Sequence, residues 1–588
     1  MVGIDTQAAN GNSPFIVGVS GHRDLHAGDR ARLREAVRAF VQEIRAHLPD
    51  TELHVMVGMA EGADLLVAQT VLELGVRVEA VLPMPLAQYA TDFDPETLNV
   101  LRELLARPEV SCTELVPPPP AAASGAAANR DAMYANLTET LIRRSSLLLA
   151  LWDGKPSLLA GGTADTVLRF LGVRTDASQA TENIAMVDIA EDLDTAERLV
   201  YWAPAVRGGG DTGLEMRPPG FLRGLGDNTL QMQQAMPAPL VHQLAALNQY
   251  NREYRELQAD GSLGVPDSLF AALPADVPLT AGLRLEDIDA QYGKADALAV
   301  HYQLRSDLLF RLFGVMTFTM GLAYLAYEKL TESRFVLIAY LAVMFTSLGL
   351  YYVLHGRHWF AKHLTYRALA ETMRVKFYLR LASVDHRVDA SEVLALSGID
   401  RFRGFSWIGY VLAGVEVPDL HAANGADLEE RRLRCVEQQW IESQHQYFTR
   451  KVASLEQSSS RIRLLRNALL GVILAVIIAL FLFGDTLHRQ QLGYGVSLQN
   501  LLTFCMGFLA VLLGAWELHQ NKMATRELLW QYRNQLRHFA RARLDLTRFT
   551  TQRRRNEVLV GLGKDSLMES YLWTIHRYHR EHEPPTGH

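Results

Sequence analysis

Apolar residues follow two different patterns along this chain. Through residue 205, short apolar runs alternate with stretches in which apolar residues return every three or four positions. Phe15–Val19, Leu53–Gly58, Val76–Pro83 and Ser145–Gly154 read as strands. Asp29–Ala46, the stretch between Glu61 and Gly75, Glu96–Ala106 and Ala132–Arg144 read as helices, and a further helix opens at Gly161. Val200–Trp202 reads as a late strand. Continuous apolar strands alternating with amphipathic helices predict a doubly wound, parallel α/β sheet. Pro117–Ala128 is a Pro/Ala-rich connection, and Gly208–Gly210 with residues 217–230 reads as loop. Pro237–Gln258 and Asp287–Leu304 read as helices that couple the first 205 residues to the C-terminal half, with Asp296 and Arg305 as an expected pair.

Beyond residue 305 the runs lengthen. Leu312–Tyr327, Phe335–Leu354, Ala468–Gly484 and Leu501–Trp516 carry no charge. A helix needs about 20 apolar residues to cross a bilayer core of about 30 Å. The second and third runs meet this, and the first and fourth do so with their flanks. Each pair is joined by a short turn, which predicts two transmembrane hairpins in an all-α, four-span domain. Gly314 and Gly321, like Gly507 and Gly514, are spaced two helical turns apart and offer close-contact seams. The cores hold no Asp, Glu or Lys, which disfavours a transporter, since transport chemistry ordinarily uses intramembrane ionisable groups. Each hairpin is followed by a basic amphipathic stretch, His363–Leu381 and Leu528–Leu546, read as a weakly repeated cytoplasmic stalk suited to a homo-oligomer. Between Ala390 and Leu428 lies a less regular insertion with Gly398, Gly404, Gly409, Gly414 and Pro418. The resulting divisions are 1–205, a coupling segment 206–304, a first hairpin 305–356, a helical region 357–465, a second hairpin 466–517 and C-terminal helices 518–588.

Charge sharpens this division. The 588 residues have a net charge of −7 and a mean hydropathy of +0.01, values typical of a soluble protein. Residues 301–588 hold 35 Lys and Arg against 25 Asp and Glu, so the net there is +10 and the first 300 residues carry −17. The basic residues flank one side of the apolar runs, namely Arg305, Arg311, Arg357, Lys362, Arg367, Lys451, Arg461, Arg463, Arg466, Lys522, Arg526, Arg533 and Arg537. The positive-inside rule then sets both termini and residues 355–466 in the cytoplasm of a cell membrane. The first apolar stretch is strand-like, so no signal peptide is expected. The acidic first half disfavours DNA as a partner. Three scattered cysteines, Cys112, Cys435 and Cys505, exclude a disulfide framework, and no metal site is expected.

In a parallel sheet, ligands bind at the carboxyl ends of the strands. Ser20, Gly21, His22 and Arg23 follow the first strand. Gly58, Glu61, Gly62 and Asp64 follow the second. Trp152, Asp153 and Gly154 follow the fourth, and Gly161, Gly162 and Thr163 open the next helix. The Gly-Gly-Thr turn leaves backbone N–H groups for a phosphate, Arg23 adds positive charge, and Trp152 offers a stacking face for a base. Arg130 and Tyr134, before the fourth strand, are further candidates to face the ligand. Each of these residues also has a structural reading as a cap or turn, and both readings stay open.

GVSGHRDL at 18–25, AEGADLLVA at 60–68, AVLP at 80–83, LALWDGKP at 149–156 and GGTADTV at 161–167 resemble the SLOG family, which includes Lonely-guy phosphoribohydrolases and DprA-like proteins. The hairpin followed by YRALAETMRVKFYL, 366–379, resembles SLATT-type membrane effector modules. The resemblance implies a Rossmann-like sensor that binds a nucleotide-derived second messenger, ADP-ribose-like or a cyclic nucleotide. It also implies a membrane module that assembles into a pore in bacterial antiphage defence. The phosphoribohydrolase motif PGGxGTxxE is incomplete: Ala160 to Asp165 reads AGGTAD, and no Glu follows. That favours binding over turnover, with a membrane-anchored nucleotide or N-glycosidic-bond hydrolase as the alternative. No cofactor other than that nucleotide ligand is expected, and the remaining partners are the lipid bilayer and further copies of the chain.

Overall fold

A computed structural model describes residues 12–116, 126–157, 161–173, 185–188, 198–208, 217–224, 229–274, 277–280, 283–384, 388, 393, 405–416, 426–491, 496–523 and 525–581. Residues 117–125, Ala160, Gly209, Gly210, Gly398, Gly404 and Pro418 lie outside them. The chain divides into two compact units. One comprises Met1–Leu263, Ser268–Lys294 and Thr372–Arg432, and the other Gly264–Asp267, Ala295–Glu371 and Leu433–His588.

The first unit is a mixed, mostly parallel α/β sheet. Its strands are β1 (Phe15–Gly21), β2 (Leu53–Val57), β3 (Arg77–Leu82), β4 (Val110–Glu114), β5 (Leu147–Trp152), β6 (Ala185–Asp188), β7 (Val200–Pro204), β8 (Gly220–Gly224) and β9 (Thr229–Gln233). They lie in the order β4-β3-β2-β1-β5-β7-β8-β9-β6. Strands β1 to β5 and β7 run parallel, and β8 is antiparallel to β7 and β9. The helices interleaved with these strands are α1 (Arg30–His47), α2 (Ala63–Glu73), α3 (Pro95–Leu105), α4 (Ala126–Arg144) and α5 (Thr163–Phe170). Residues 217–230, expected as loop, contribute β8 and the start of β9, so the sheet continues past residue 205. The edge strand β4 was also missed: Ser111, Cys112 and Glu114 are exposed, so it lacks the apolar run that marks a buried strand.

The expected helix at Pro237–Gln258 is α6 (Ala238–Ala259). Its Leu240, Leu244, Leu247 and Tyr250 are buried at helical spacing. Asn251 donates to the carbonyl of Ser13 at 2.9 Å and to the Thr51 hydroxyl at 2.8 Å, and accepts from Lys294 Nζ at 2.5 Å. The residues between the two apolar hairpins include a short helix, Ile408–Val415 (α10 in chain order), which belongs to this unit. Tyr410 meets Phe15 of β1 edge-on at 5.1 Å, and Trp407 lies 5.0 Å from the Tyr250 ring. The apolar stretch WIGYVLAGV is therefore core material for the sheet, whereas its glycines had suggested an irregular insertion.

Inside the sheet unit, a buried ionic group joins β2, β3 and α4. Glu79 accepts from Arg144 at 2.7 Å and pairs with His54 Nδ1 at 3.0 Å. Burial opposes ionisation of Glu79, but Arg144 and His54 outweigh it and hold the carboxyl at about 2.

The second unit is helical. Among the described residues, four helices are long and apolar enough to cross a membrane: Leu285–Lys329, Arg334–Leu354, Asp427–Arg489 and Leu498–Glu517. They fall in α7 (Leu285–Lys329), α8 (Arg334–His355), α11 (Ala426–Val436) continued through a π-helical turn at Glu437–Glu442 into α12 (Ser443–Arg489), and α13 (Leu498–Met523). The first and fourth meet closely. A Cβ on Gly321 would lie 2.6 Å from Val511 Cγ1, and one on Gly507 would lie 2.8 Å from Leu325 Cδ2. Gly314 and Gly514 have nothing within 4 Å, so one glycine of each expected pair makes a seam. Asp296 pairs with Arg367 at 2.9 Å, and Arg305 lies over the Trp359 ring.

The stretches after the two hairpins are helices α9 (Trp359–Leu381) and α14 (Thr525–Arg548), followed by α15 (Gln552–Glu581). They differ more than a repeat would suggest. α9 is buried on most sides, with Leu364, Leu369, Met373, Phe377 and Leu381 at 0% exposure. α14 buries Phe539 and Leu546 and leaves Leu529, Tyr532 and Leu536 half-buried.

Candidate functional site

Strand order reverses between β1 and β5. The chain adds β2, β3 and β4 on one side of β1, then crosses through α4 to place β5 on the other. Such a reversal leaves a crevice beyond the carboxyl ends of the two strands, because the connections leave in opposite directions. The candidate segments after β1 and β5 lie at this point.

Ser20 is buried at the strand end, paired with Ala150, and Gly21 is paired with Leu151. A Cβ on Gly21 would lie 2.3 Å from the Ala63 Cβ, so no side chain fits between β1 and the start of α2. His22 is fixed by its backbone, with its N–H donating to Leu151 O at 3.1 Å and its carbonyl accepting from Ala63 at 3.0 Å. Its side chain spans the crevice. Nε2 accepts from the Asp153 N–H at 3.1 Å and lies 3.0 Å from Asp153 Oδ1. Arg23 is exposed, its guanidinium 5.1 Å from the centre of the Tyr134 ring.

After β2 the backbone turns sharply. Gly62 has φ +82°, and a Cβ there would lie 2.1 Å from Arg23 O, so glycine is required for this turn and for the path of the Arg23 loop. A Cβ on Gly58 would meet Leu137 at 2.8 Å and Asp64 Oδ2 at 3.1 Å. Glu61 is exposed and Asp64 is buried. Asp64 accepts from the Ala60 N–H at 3.1 Å. Burial pushes its carboxyl up to about 7, against the pull of that N–H and of Arg23. A buried acid that titrates near neutral pH at the end of a strand is equipped to move a proton.

After β5 one expectation is overturned. Trp152 is 0% exposed, lies among Ala164, Val167, Leu168 and Trp202, and donates Nε1–H to Lys155 O at 3.0 Å. Its ring belongs to the core and has no open face on which a base could stack. Asp153 Oδ1 also accepts from the Lys155 N–H at 3.1 Å, and Gly154 follows with φ +77°.

The Gly-Gly-Thr turn starts α5 as expected, with Gly162 as the N-cap and Thr163 as the first helical residue, half-buried. Its amides are not all free. Gly161 N–H donates to Asp165 Oδ2 at 2.9 Å, so a carboxylate already stands where an anion was expected. Gly161 packs on α4, where a Cβ would lie 3.0 Å from the Tyr134 carbonyl carbon. This brings the turn beside the ring under Arg23.

Arg130 and Tyr134 do join the site. Tyr134 donates to Asp92 Oδ2 at 2.6 Å, and Arg130 forms an ion pair with the same carboxylate. Asp92 was missed, as was Tyr89, which is buried and donates to Gly58 O at 3.1 Å. Both follow β3, and the strand-end rule applied to that strand would have found them. Among the described residues, no group of three or more His, Cys, Asp or Glu could hold a metal ion. The arrangement offers the exposed Arg23 cation, an imidazole–carboxylate pair across the crevice and the buried acid Asp64. No protein-family model, curated protein or solved structure matches this chain.

Proposed function

We propose that this chain is a ligand-gated membrane effector. Its α/β unit takes a nucleotide-derived second messenger, ADP-ribose-like or a cyclic nucleotide, in the crevice between β1 and β5. Binding biases copies of the chain towards a membrane-disrupting pore or channel in a bacterial inner membrane, with both termini and the α/β unit in the cytoplasm, as an antiphage response. One observation carries the reading: a strand-reversal crevice with an exposed arginine lies in the same chain as four apolar helices whose cores hold no Asp, Glu, Lys, Arg or His. The SLOG-like and SLATT-like motifs support it. The test is dye release from liposomes carrying the full chain, scanned against ADP-ribose and cyclic nucleotides. Release that requires one of them and disappears in Arg23→Ala supports the reading. Intact liposomes with a ligand that demonstrably binds overturn it.

A membrane-anchored hydrolase is the second reading, favoured by Asp64, whose carboxyl titrates near 7 in the site. Chromatography of nucleotides incubated with the full chain decides it: product formation that disappears in Asp64→Asn supports hydrolysis, and fully intact ligand excludes it.

A further inference from the structure

The apolar stripe of α7 does not stop where its charge-free run begins. Val300, Leu304 and Leu308 continue the line of Leu312 and Val315 towards the N-terminus, and Leu304 and Leu308 are 66% and 68% exposed. Arg305 and Arg311, also exposed, are interleaved with them. At the far end of α8 the chain turns through Gly356, Arg357 and His358, where His358 has φ +49°, and enters α9 at Trp359 and Phe360. These two rings meet the α7 segment: the Arg305 guanidinium lies 5.6 Å from the Trp359 ring centre, and Phe310 meets Phe360 edge-on at 5.6 Å. Arg577 of α15 closes the group, 4.9 Å over Phe360 and 5.0 Å over Trp573.

The charges in this group are unbalanced. Among the described residues, Arg305, Arg311 and Arg357 have no carboxylate partner. Arg367, two turns into α9, has both Asp296 at 2.9 Å and Glu371 at 2.7 Å. The third apolar helix repeats the pattern, with Leu464 and Leu465 at 74% and 61% exposure among Arg461, Arg463 and Arg466. Exposed leucine beside unpaired arginine is costly in water and apt at one depth of a bilayer, where acyl chains give way to phosphates. A guanidinium can hold a phosphate through two parallel N–H bonds, and tryptophan settles at that same depth.

We propose that Arg305, Arg311 and Arg357, with Trp359 beside them, form a binding site for the phosphate headgroup of an anionic phospholipid, its acyl chains lying along Leu304 and Leu308. The proposal rests on reading the apolar helices as membrane spans. Charge complementarity selects the occupant: three unpaired guanidinium groups facing a second copy of themselves would repel.

The test is lipid retention. The full chain is reconstituted in vesicles with equal parts of phosphatidylcholine and phosphatidylglycerol, extracted in mild detergent, and its retained lipid quantified by mass spectrometry. Phosphatidylglycerol is expected in about tenfold excess or more. The triple change Arg305→Gln, Arg311→Gln, Arg357→Gln brings the two lipids to parity. The matching triple Arg→Lys keeps the flanking charge that sets topology and retains a reduced preference, which separates loss of the site from loss of insertion. Equal retention of both lipids by an inserted wild-type chain overturns the headgroup site and leaves the membrane reading standing. Displacement by soluble glycerol 3-phosphate, or a cross-link between copies through Leu304 or Leu308 that excludes lipid, overturns it as well. Failure of the wild-type chain to enter vesicles of either lipid overturns the membrane reading and the site together.

Discussion

The sheet unit and the helical unit use the same apolar residue types to opposite ends. Val17, Val55 and Leu149 in the strands are at most 1% exposed, whereas Phe335 and Phe481 in the apolar helices are 83% and 86% exposed. In the sheet, apolar side chains leave water by packing on one another, and the site loops inherit that rigidity: Gly21 and Gly62 fit only because they carry no side chain. In the helical unit the most apolar stretches are buried inside the protein by 6% or less, so packing within the chain does not cover them, and the proposed membrane reading assigns that role to lipid. The contact between the first and fourth of these helices is made by close approach at Gly321 and Gly507.

This contrast can be tested, starting with the largest effect. Glu79→Gln leaves Arg144 buried without its charge partner and should cost the sheet unit about 3–5 kcal/mol, read as a drop in its unfolding midpoint. The stabilisation from Glu79 is present above its ordinary 4.5 and is lost as pH falls through about 2, so wild type should lose its advantage over the variant on acidification. Next, Ile477→Asp, at an exposed position, should cost about 2.5–3.5 kcal/mol of insertion and shift the chain out of the membrane fraction. An unchanged membrane fraction would place that helix in water and remove the contrast.

Smaller effects separate the two kinds of glycine. Gly62→Ala forces a side chain onto Arg23 O in a left-handed turn and should cost about 1–3 kcal/mol while weakening ligand binding, because the Arg23 loop moves. Gly321→Val meets Val511 and should loosen the pairing of the first and fourth helices in cross-linking, while Gly514→Val, which has open space, leaves it unchanged. A further effect is read as a slope. Asp64 keeps its proton up to about 7 in the fold against an ordinary 3.8, so the folded state binds more protons between those values and stability falls as pH rises through that window. Asp64→Asn should flatten that fall, as measured by denaturation of the full chain between pH 4 and pH 8.

Much of this fold was legible because both environments impose a period. Strands β1 and β5 are buried and read as apolar runs, β2 and β3 do so around His54 and Glu79, and the four long helices carry apolar stretches long enough to cross a membrane. The half-exposed strand β4 and the short antiparallel pair β8 and β9 carry no such run and went unread. The site divided in the same way. His22, Asp153, Arg23, Gly62 and Asp64 were found because strand ends can be counted along the chain. Asp92 and Tyr89 also follow a strand, β3, but their roles depend on Tyr134 and Gly58, which are distant in sequence.

By itself, then, the sequence determined which segments must leave water, and at which strand ends chemistry could stand. Only the tertiary structure decided what each side chain meets there: that Trp152 belongs to the core, that Asp165 takes the Gly161 amide, and that residues 408–415 support the sheet. Burial from water follows from local composition, whereas a contact is fixed by two segments at once, and neither one records the other's position.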